Sequence, residues 1–318
     1  MGEDFRLEQQ ISADIPRRRL TDAPGPLFRE IALERMAHKK LRLQPRSYKT
    51  DEQRLKPLLE LLGEMEASAI APADIDRVLG AVMMSNKIDK RPAGKATANR
   101  YLALISSIFA IAVRNGRLAA NPCSRVERFK ESPGRIRYLN QHDAREEERL
   151  RAEIRKAWPD FEPEFDVALN TGMRRDEQFS LRREWVDLER DILTVYGKGG
   201  KRRYIPVNTN AHQALKILLE RSSGQFLCAQ KKTLEQRDWR RWFEECRHAA
   251  GIRDFHWHDL RHTFASRLAM AGVSLQTIQQ LLGHASLAMT LRYAHLAPTQ
   301  LRDAVNKIGG SDPQGRLF

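Results

Sequence analysis

Five polar residues near the carboxyl end of the chain have types and spacing that suit chemistry on a phosphate. They are His258, Arg261, His284, Arg292 and Tyr293. A tyrosine hydroxyl has a pKa of about 10, so as a nucleophile it needs the phosphate charge neutralised and the leaving oxygen protonated. The planar fork of arginine contacts two phosphate oxygens, and histidine moves protons near neutral pH. The stretch therefore predicts polar groups gathered around one phosphate, with a nucleophile beside it.

Three short helices are predicted to position these groups. In the first, Leu260, Phe264 and Leu268 repeat every four residues, which places them on one buried helix face. His258 and Arg261 are three residues apart near the start of this helix, and we expect them to lie side by side.

The second and third helices are predicted from their capping residues. Ser274 suits the N-cap of a helix that ends at Gly283, and that end delivers His284. Ser286 is predicted to cap a third helix, on which Tyr293 follows seven residues later.

The composition indicates a polyanionic partner. The chain has 318 residues, with 55 Lys and Arg against 41 Asp and Glu, and a formal net charge of +14. This length predicts two domains. The charge suits nucleic acid, although many basic soluble proteins bind no polyanion.

The cysteines and the apolar runs predict a cytoplasmic protein with no membrane partner. Cys123, Cys228 and Cys246 are widely spaced and odd in number, which argues against a disulfide framework or a zinc module. We interpret them as small buried hydrophobic residues. We find neither a signal peptide nor the roughly 18 apolar residues of a membrane span.

The first half of the chain is predicted to be a helical domain over residues 27–127, after an extended lead-in over residues 1–26. Four or so helices are expected from apolar stripes such as Ile75, Val78, Leu79 and Val82. A basic loop follows these stripes, and it is a candidate contact for a DNA backbone, with a merely solvated surface as the alternative. The residues concerned are Lys87, Lys90, Arg91 and Lys95.

The second half is predicted to be a mixed catalytic domain over residues 138–308, reached through a linker at 128–137 and followed by a flexible tail at 309–318. Within it, two β-branched runs flank the sequence GKGGK between Asp191 and Val207, which predicts a β-hairpin with Lys198 at its turn. The fold class expected is mainly α with a small antiparallel β-sheet.

Five motifs in this half occur in a family's order and spacing. They are TGMRRDE (171–177), YGKGGKRRYIPV (196–207), HDLRH (258–262), LLGH (281–284) and a tyrosine nine residues after the last histidine. The chain in these respects resembles the tyrosine recombinase, or phage integrase, family. The resemblance extends more loosely to the helical N-terminal half, and it implies the two-domain architecture of a helical core-binding domain and a catalytic domain.

The resemblance implies a role for each motif residue. Arg174 and Arg261 become a phosphate clamp, here called the arginine clamp, and Tyr293 becomes the nucleophile. Lys198 protonates the leaving 5′-oxygen. Two histidines complete the pocket as hydrogen-bond donors and aids to proton transfer, and these are His258 and His284. The product is a 3′-phosphotyrosyl link that a partner strand's 5′-hydroxyl attacks, and no metal, nucleotide or other cofactor is implied.

The function implied is site-specific DNA recombination, with integration or excision of a mobile element such as a prophage. The expected partners are double-stranded DNA, three further copies of the chain in a homotetramer on DNA, and accessory DNA-bending or directionality proteins. The segment after Tyr293 is a candidate for docking on a neighbouring copy. Type IB topoisomerase activity and a DNA-binding regulator that keeps the fold are the alternative functions.

Several residues keep a second interpretation. Lys201 competes with Lys198 for the acid role, and the run Lys201, Arg202 and Arg203 could instead grip DNA. Arg174 and Glu177 could form an ordinary i, i+3 helix pair, and a structural role is expected for Glu177. Three histidines invite a metal interpretation, but no thiolate or carboxylate set completes a site. These three are His256, His258 and His262.

Two further expectations concern single positions. His262 and His295 are interpreted as local hydrogen-bonding residues. Only about 26 residues precede the first helix, too few for a separate folded arm-site-binding domain. Either the protein works without such a domain, or the chain begins partway through a longer protein.

Overall fold

The computed structural model describes residues 25–40, 45–84, 94–132, 134–197, 200–228 and 239–298. The chain divides into two compact units between Ser132 and Pro133. Each unit is described separately.

The first unit is built from four helices in its described residues. They are α1 (Phe28–Lys40), α2 (Pro45–Leu62), α3 (Pro72–Met84) and α4 (Lys95–Arg114). Phe28, Leu58, Ile75 and Ile108 are fully buried where the apolar faces of the four helices meet. The apolar stripes read from the sequence therefore form the core, and the expectation of about four helices is confirmed.

Helix α4 is, among the described helices, the one long and apolar enough to cross a membrane by length and composition. No such stretch was expected from the sequence. Half of its apolar window is buried inside the protein, where Leu102, Ile105 and Phe109 pack in the core of the first unit. A core helix passes the same test, so the composition of α4 is explained by its burial.

The second unit is mainly helical around a small sheet. Its helices are α5 (Glu146–Ala157), α6 (Glu162–Thr171), α7 (Arg175–Phe179), α8 (Thr209–Arg221), α9 (Trp239–Ala249), α10 (Trp257–Met270) and α11 (Leu275–Leu282). Its strands are β1 (Val186–Asp187), β2 (Ile192–Tyr196) and β3 (Arg202–Pro206), in the order β1-β2-β3 and antiparallel throughout. The fold class predicted from the sequence is confirmed.

The predicted hairpin is formed by β2 and β3. Val195 pairs with Arg203 and Leu193 with Ile205, and the ladder is extended at the turn where the Gly197 N–H donates to the Lys201 carbonyl at 2.7 Å. Gly200 lies in the turn before β3 with φ of +76°, a backbone conformation that favours glycine. Lys198 and its neighbour at position 199 lie outside the described residues.

Three apolar clusters hold the second unit together. The largest contains the rings of Trp242, Phe243 and Trp257, and a second packs the sheet against α6 and α8. The third is small and encloses Tyr293. The three cysteines are free and buried, as expected, and burial raises the pKa of Cys246 to about 11.

Candidate functional site

Helix α10 carries three of the residues singled out from the sequence. Its first turn is closed by Asp259, whose carboxylate accepts from the His256 backbone N–H at 2.7 Å. His258 is exposed in this turn, whereas Arg261 is buried with only 3% of its surface exposed. Desolvation and the charge of nearby Arg261 lower the pKa of His258, so its imidazole is neutral at pH 7. The first helix predicted from the sequence is therefore confirmed.

Arg261 is held by backbone carbonyls from two other helix ends. Its Nη1 donates to the Gly172 carbonyl and its Nη2 to the Leu282 carbonyl, both at 2.7 Å. Gly172 ends α6 with φ of +60°, and a Cβ there would collide with the Phe264 ring of α10. Burial and the charge of Arg174 lower the pKa of Arg261 to about 9, so the guanidinium stays charged at neutral pH.

Arg174 precedes α7 and reaches the same region. Its backbone N–H and its Nη1 both donate to the Glu177 carboxylate, at 2.8 and 2.9 Å, which confirms the predicted i, i+3 pair. Its Nη2 donates to the Gly283 carbonyl at 3.1 Å. Arg174 and Arg261 therefore bind the consecutive carbonyls of residues 282 and 283, and 37% of the Arg174 side chain is exposed.

Helix α11 ends as predicted and presents His284. The Ser274 hydroxyl accepts from the Thr277 N–H at 3.1 Å, and Gly283 closes the helix in the left-handed region. His284 Nδ1 lies 2.8 Å from the Thr290 hydroxyl. Burial, followed by the charge of the arginine clamp, lowers the pKa of His284 to about 4.

The prediction of a third α-helix after Ser286 is wrong. Two short 3-10 segments, Leu287–Met289 and Leu291–Leu296, replace it, and the Ser286 side chain makes no capping hydrogen bond. We call Leu291–Leu296 the tyrosine segment. The side chains of this six-residue 3-10 helix point in different directions, and the buried residue is Tyr293.

Tyr293 is buried to 1% exposure and its hydroxyl lies 2.6 Å from His262 Nδ1. Burial raises the pKa of Tyr293 to about 12, and burial together with the charge of nearby groups lowers the pKa of His262 to about 3. Both groups are therefore neutral across the physiological range. His262 was expected to form a local hydrogen bond; its partner is instead Tyr293, 31 residues further along the chain.

The arginine side of the site opens into a cavity of 890 Å³ within the second unit. Arg174, Glu177, Tyr196 and His258 are among its lining residues. Two of the predicted catalytic residues, Arg174 and His258, thus line the same cavity.

The predicted DNA-contact residues divide into three groups. Lys87, Lys90 and Arg91 lie outside the described residues, as does Lys198, the predicted acid. Lys95, Lys201 and Arg202 are exposed. The remaining residue, Arg203, points inward and binds Glu177 with both terminal nitrogens, at 3.0 and 2.8 Å.

Three residues of the site were given no chemical role from the sequence, namely Glu177, His262 and Thr290. Glu177 and His262 each stand three or four residues from a singled-out residue on the same helix, and this spacing was a usable signal. Thr290 had no such signal, because its contact with His284 crosses a turn.

The comparison with known families agrees with this geometry. The family described as phage integrase matches residues 136–300, and the phage integrase central domain matches residues 28–128. The chain belongs to the phage integrase family. The first of these matches alone covers more than half of the 318 residues.

Curated relatives of this integrase-family chain include recombinases and a phage integrase. It is 38% identical over 146 residues to tyrosine recombinase XerC of Bacillus pumilus, a match to 42% of this chain and 48% of that protein. It is 29% identical over 234 residues to the integrase of Salmonella phage P22, covering 69% of this chain and 58% of that integrase. The matched region thus spans about half the length of these curated relatives.

Solved integrase structures share the fold of this family member. The Tn1549 transposon integrase in complex with circular intermediate DNA matches with a TM-score of 0.70 and 20% identity, over 89% of this chain and 99% of that one. A lambda integrase tetramer bound to a Holliday junction matches with a TM-score of 0.66 and 18% identity, over 89% and 86% respectively. At such identities the likeness establishes the fold.

Proposed function

We propose that this chain is a site-specific DNA recombinase that cuts and rejoins DNA strands through a 3′-phosphotyrosyl intermediate. One observation carries the proposal: Arg174, just before α7, and Arg261, on α10, bind the neighbouring carbonyls of residues 283 and 282. Two guanidinium groups anchored so close together suit one phosphate between them. Membership of the phage integrase family supports the same function.

The proposed step joins Tyr293 to the scissile phosphorus. The Tyr293 oxygen forms a bond to phosphorus while the bond from phosphorus to the 5′-oxygen breaks. Lys198 gives the leaving oxygen its proton, and the phenolic proton passes to a neutral imidazole of the pocket. His258 and His284 have lowered pKa values, so at neutral pH each imidazole is uncharged and keeps an unprotonated ring nitrogen that can take part in this transfer.

The energy of the phosphodiester is retained in the new link. A 5′-hydroxyl from a partner strand then attacks the phosphotyrosine by the reverse chemistry, and Tyr293 leaves with a proton restored. The arginine clamp stabilises the extra negative charge in both directions, because it binds the same non-bridging oxygens.

The proposed substrate is double-stranded DNA and the proposed role is integration or excision of a mobile element. The net charge of +14 supports a polyanionic partner, and exposed Lys95, Lys201 and Arg202 are proposed contacts with its backbone. Lys87, Lys90 and Arg91 are proposed for the same purpose. The structure of a transposon integrase with DNA supports the DNA partner, and the lambda integrase tetramer bound to a Holliday junction supports assembly of four copies on DNA.

Covalent trapping tests the proposal. Duplexes with randomised sequence and a nick are incubated with the protein, so that the short strand released after cleavage diffuses away and leaves the adduct trapped. We expect a denaturation-resistant protein–DNA adduct whose modified peptide contains Tyr293. Tyr293→Phe should form none, because it lacks the attacking oxygen.

Tyr101→Phe is the matched control, since it removes a tyrosine hydroxyl from α4 in the first unit. We expect it to form adduct at the normal rate. An adduct on a residue other than Tyr293, or full adduct formation by Tyr293→Phe, would refute the assignment of the nucleophile.

A further inference from the structure

Arg203 occupies an unexpected position for a residue of a basic run. Its neighbour Arg202 is exposed, but Arg203 turns toward the protein and only 13% of its side chain is exposed. Its terminal nitrogens bind the two oxygens of Glu177 at 3.0 and 2.8 Å, and its Nε donates to the Leu281 carbonyl at 3.1 Å. This is a two-point guanidinium–carboxylate pair, the geometry that fixes both partners most firmly.

The absence of a side chain at Gly283, at the end of α11, leaves room for the Arg203 side chain. A Cβ on Gly283 would lie 2.8 Å from Arg203 Cδ and 3.1 Å from its Nε. Gly283 also supplies the carbonyl that Arg174 binds, while the preceding turn supplies the carbonyl of Leu281 to Arg203. Arg203 therefore connects β3 of the hairpin to the same helix end that anchors the arginine clamp.

Glu177 is shared between Arg203 and Arg174. Its carboxylate also accepts from the Arg174 backbone N–H and from Arg174 Nη1. Burial raises the pKa of Glu177, but its bonds and charge interactions with Arg203, followed by those with Arg174, outweigh burial and leave the pKa below its usual value. The buried carboxylate is therefore ionised and carries a full negative charge beside the clamp.

The net charge of the site depends on the presence of Arg203. Three guanidinium groups and one carboxylate give a net charge of +2, contributed by Arg174, Arg203, Arg261 and Glu177. A phosphodiester carries one negative charge and gains a second as the attacking oxygen adds to phosphorus. The net charge of the site thus matches the transition state more closely than the ground state.

Without Arg203, both oxygens of Glu177 would turn to Arg174. The fork of Arg174 would then be occupied by a carboxylate, which has the same bidentate geometry as a phosphate. The net charge of the group would also fall to +1. Both changes weaken the hold on the phosphate in the transition state.

We propose that Arg203 is a positioning residue of the recombination site, which binds both Glu177 oxygens so that the Arg174 side chain donates to that carboxylate through Nη1 alone and keeps its remaining N–H groups for the phosphate. The proposal rests on the proposed function, and it changes the expectation that Arg203 contacts DNA. Nothing in the step requires Arg203 to touch the substrate.

A charge-pair experiment tests the proposal with the full chain and the nicked duplexes described above. Adduct formation is timed at saturating DNA, and DNA affinity and thermal unfolding are measured beside it. Arg203→Met should slow adduct formation by about 100-fold, because misdirecting a clamp residue by about 1 Å has that order of effect. Arg203→Lys, which keeps the charge but loses the fork, should slow it by about 10-fold.

The decisive variant combines Arg203→Met with Glu177→Gln. A neutral carboxamide no longer competes for Arg174, so the double variant should recover to within about 5-fold of the wild-type rate. A merely structural contact predicts that the adduct rates of all the variants follow their thermal stabilities, whereas the positioning role predicts a slow Arg203→Met at a temperature where it is fully folded. Should Arg203→Met fail to fold, Arg203→Lys and the double variant carry the test.

Arg190→Met is the matched control. Arg190 lies on the turn of the same sheet, its side chain is 80% exposed, and it has no contact with Glu177. We expect a wild-type adduct rate from it. A wild-type rate from Arg203→Met, or a double variant as slow as Arg203→Met, would overturn the positioning role. Absence of any adduct from the wild-type protein would instead overturn the proposed function.

Discussion

The arginine clamp and the tyrosine segment, the two halves of the proposed site, are built in different ways. The clamp lies among the ends of α6, α7 and α11, and each guanidinium bonds to carbonyls or to a buried carboxylate. The tyrosine segment is a short 3-10 turn with exposed residues on both sides of Tyr293. Among the residues that the structure describes, Tyr293 is held by apolar packing and by one side-chain hydrogen bond, to His262.

We infer from this difference that the proposed phosphate-binding half is formed before DNA arrives and that the proposed nucleophile is not yet exposed. The clamp opens onto a cavity, and its Arg174 side chain is 37% exposed. Tyr293 is 1% exposed, which leaves its oxygen almost no surface for a phosphorus atom to approach. We infer that the tyrosine segment shifts before attack, while the clamp stays in place.

The largest expected effect separates the two halves directly. Arg174→Ala and Arg261→Ala should each slow adduct formation by about 100- to 1,000-fold, because each removes a preorganised donor to the charge of the transition state. DNA binding should persist in both variants, since many other basic residues contribute to it. The measurement is adduct formation on nicked duplexes at saturating DNA.

The control for this prediction measures whether the arginine clamp still binds an anion. Sulfate at about ten times its Kd should raise the free energy of unfolding of the wild type by about 1.4 kcal/mol, because it binds only the folded protein. Both arginine variants should lose this effect, and Tyr293→Phe should keep it. If Tyr293→Phe lost the sulfate effect as well, the clamp would not be formed independently of the tyrosine segment.

A smaller effect is expected at the glycine that joins α11 to the clamp. Gly283→Ala places a Cβ in the left-handed region and 2.8 Å from Arg203 Cδ, so it should cost about 1–3 kcal/mol of unfolding free energy. It should also slow adduct formation by about 10-fold, because Arg174 and Arg203 both use this helix end. Denaturant unfolding and adduct timing measure the two effects.

Gly116→Ala separates backbone strain from the contact with Arg203. Gly116 follows α4 with φ of +69°, and nothing lies within 4 Å of its Cβ position. It should cost about 1 kcal/mol and leave the adduct rate unchanged. Equal losses of activity from the two glycine variants would show that the close approach to Arg203 has no consequence for the clamp.

The sequence was sufficient wherever one local rule decides the structure. The N-cap at Ser274, the left-handed end at Gly283 and the alternation of β2 and β3 follow from capping, glycine conformation and strand periodicity. Period two even places Arg203 on the same inward face as buried Ile205, a signal that was available and was outweighed by the basic run around it.

Local rules failed where contacts between distant parts of the chain determine the structure. Arg203 and Glu177 are 26 residues apart, and no spacing in either segment indicates that they meet. The 3-10 geometry of the tyrosine segment also depends on a contact between residues far apart in the sequence. Ser286 is a good capping residue, but burial of Tyr293 beside His262 favours a tight turn over the continuous helix that the capping signal predicted.

The smallest expected effect concerns the restraint on the nucleophile. His262→Leu removes the hydrogen-bond partner of the Tyr293 hydroxyl, and an unpaired buried hydroxyl costs about 1–3 kcal/mol. The buried position of Tyr293 becomes less favourable, so the shifted position gains population. Adduct formation at saturating DNA should therefore rise by about 5-fold, the equivalent of about 1 kcal/mol. Nitration of Tyr293 in the absence of DNA should rise in parallel.

The pH dependence gives an independent check on His262. Its pKa falls from 6.5 to about 3 on folding, so below pH 6.5 the unfolded chain takes up a proton that the folded protein does not. The free energy of unfolding should therefore decline as the pH drops from about 6.5 towards 3, and the decline should be shallower in His262→Leu. If the variant instead lost adduct formation by two orders of magnitude, His262 would belong to the chemistry, and the restraint on the tyrosine segment would have to come from its apolar packing alone.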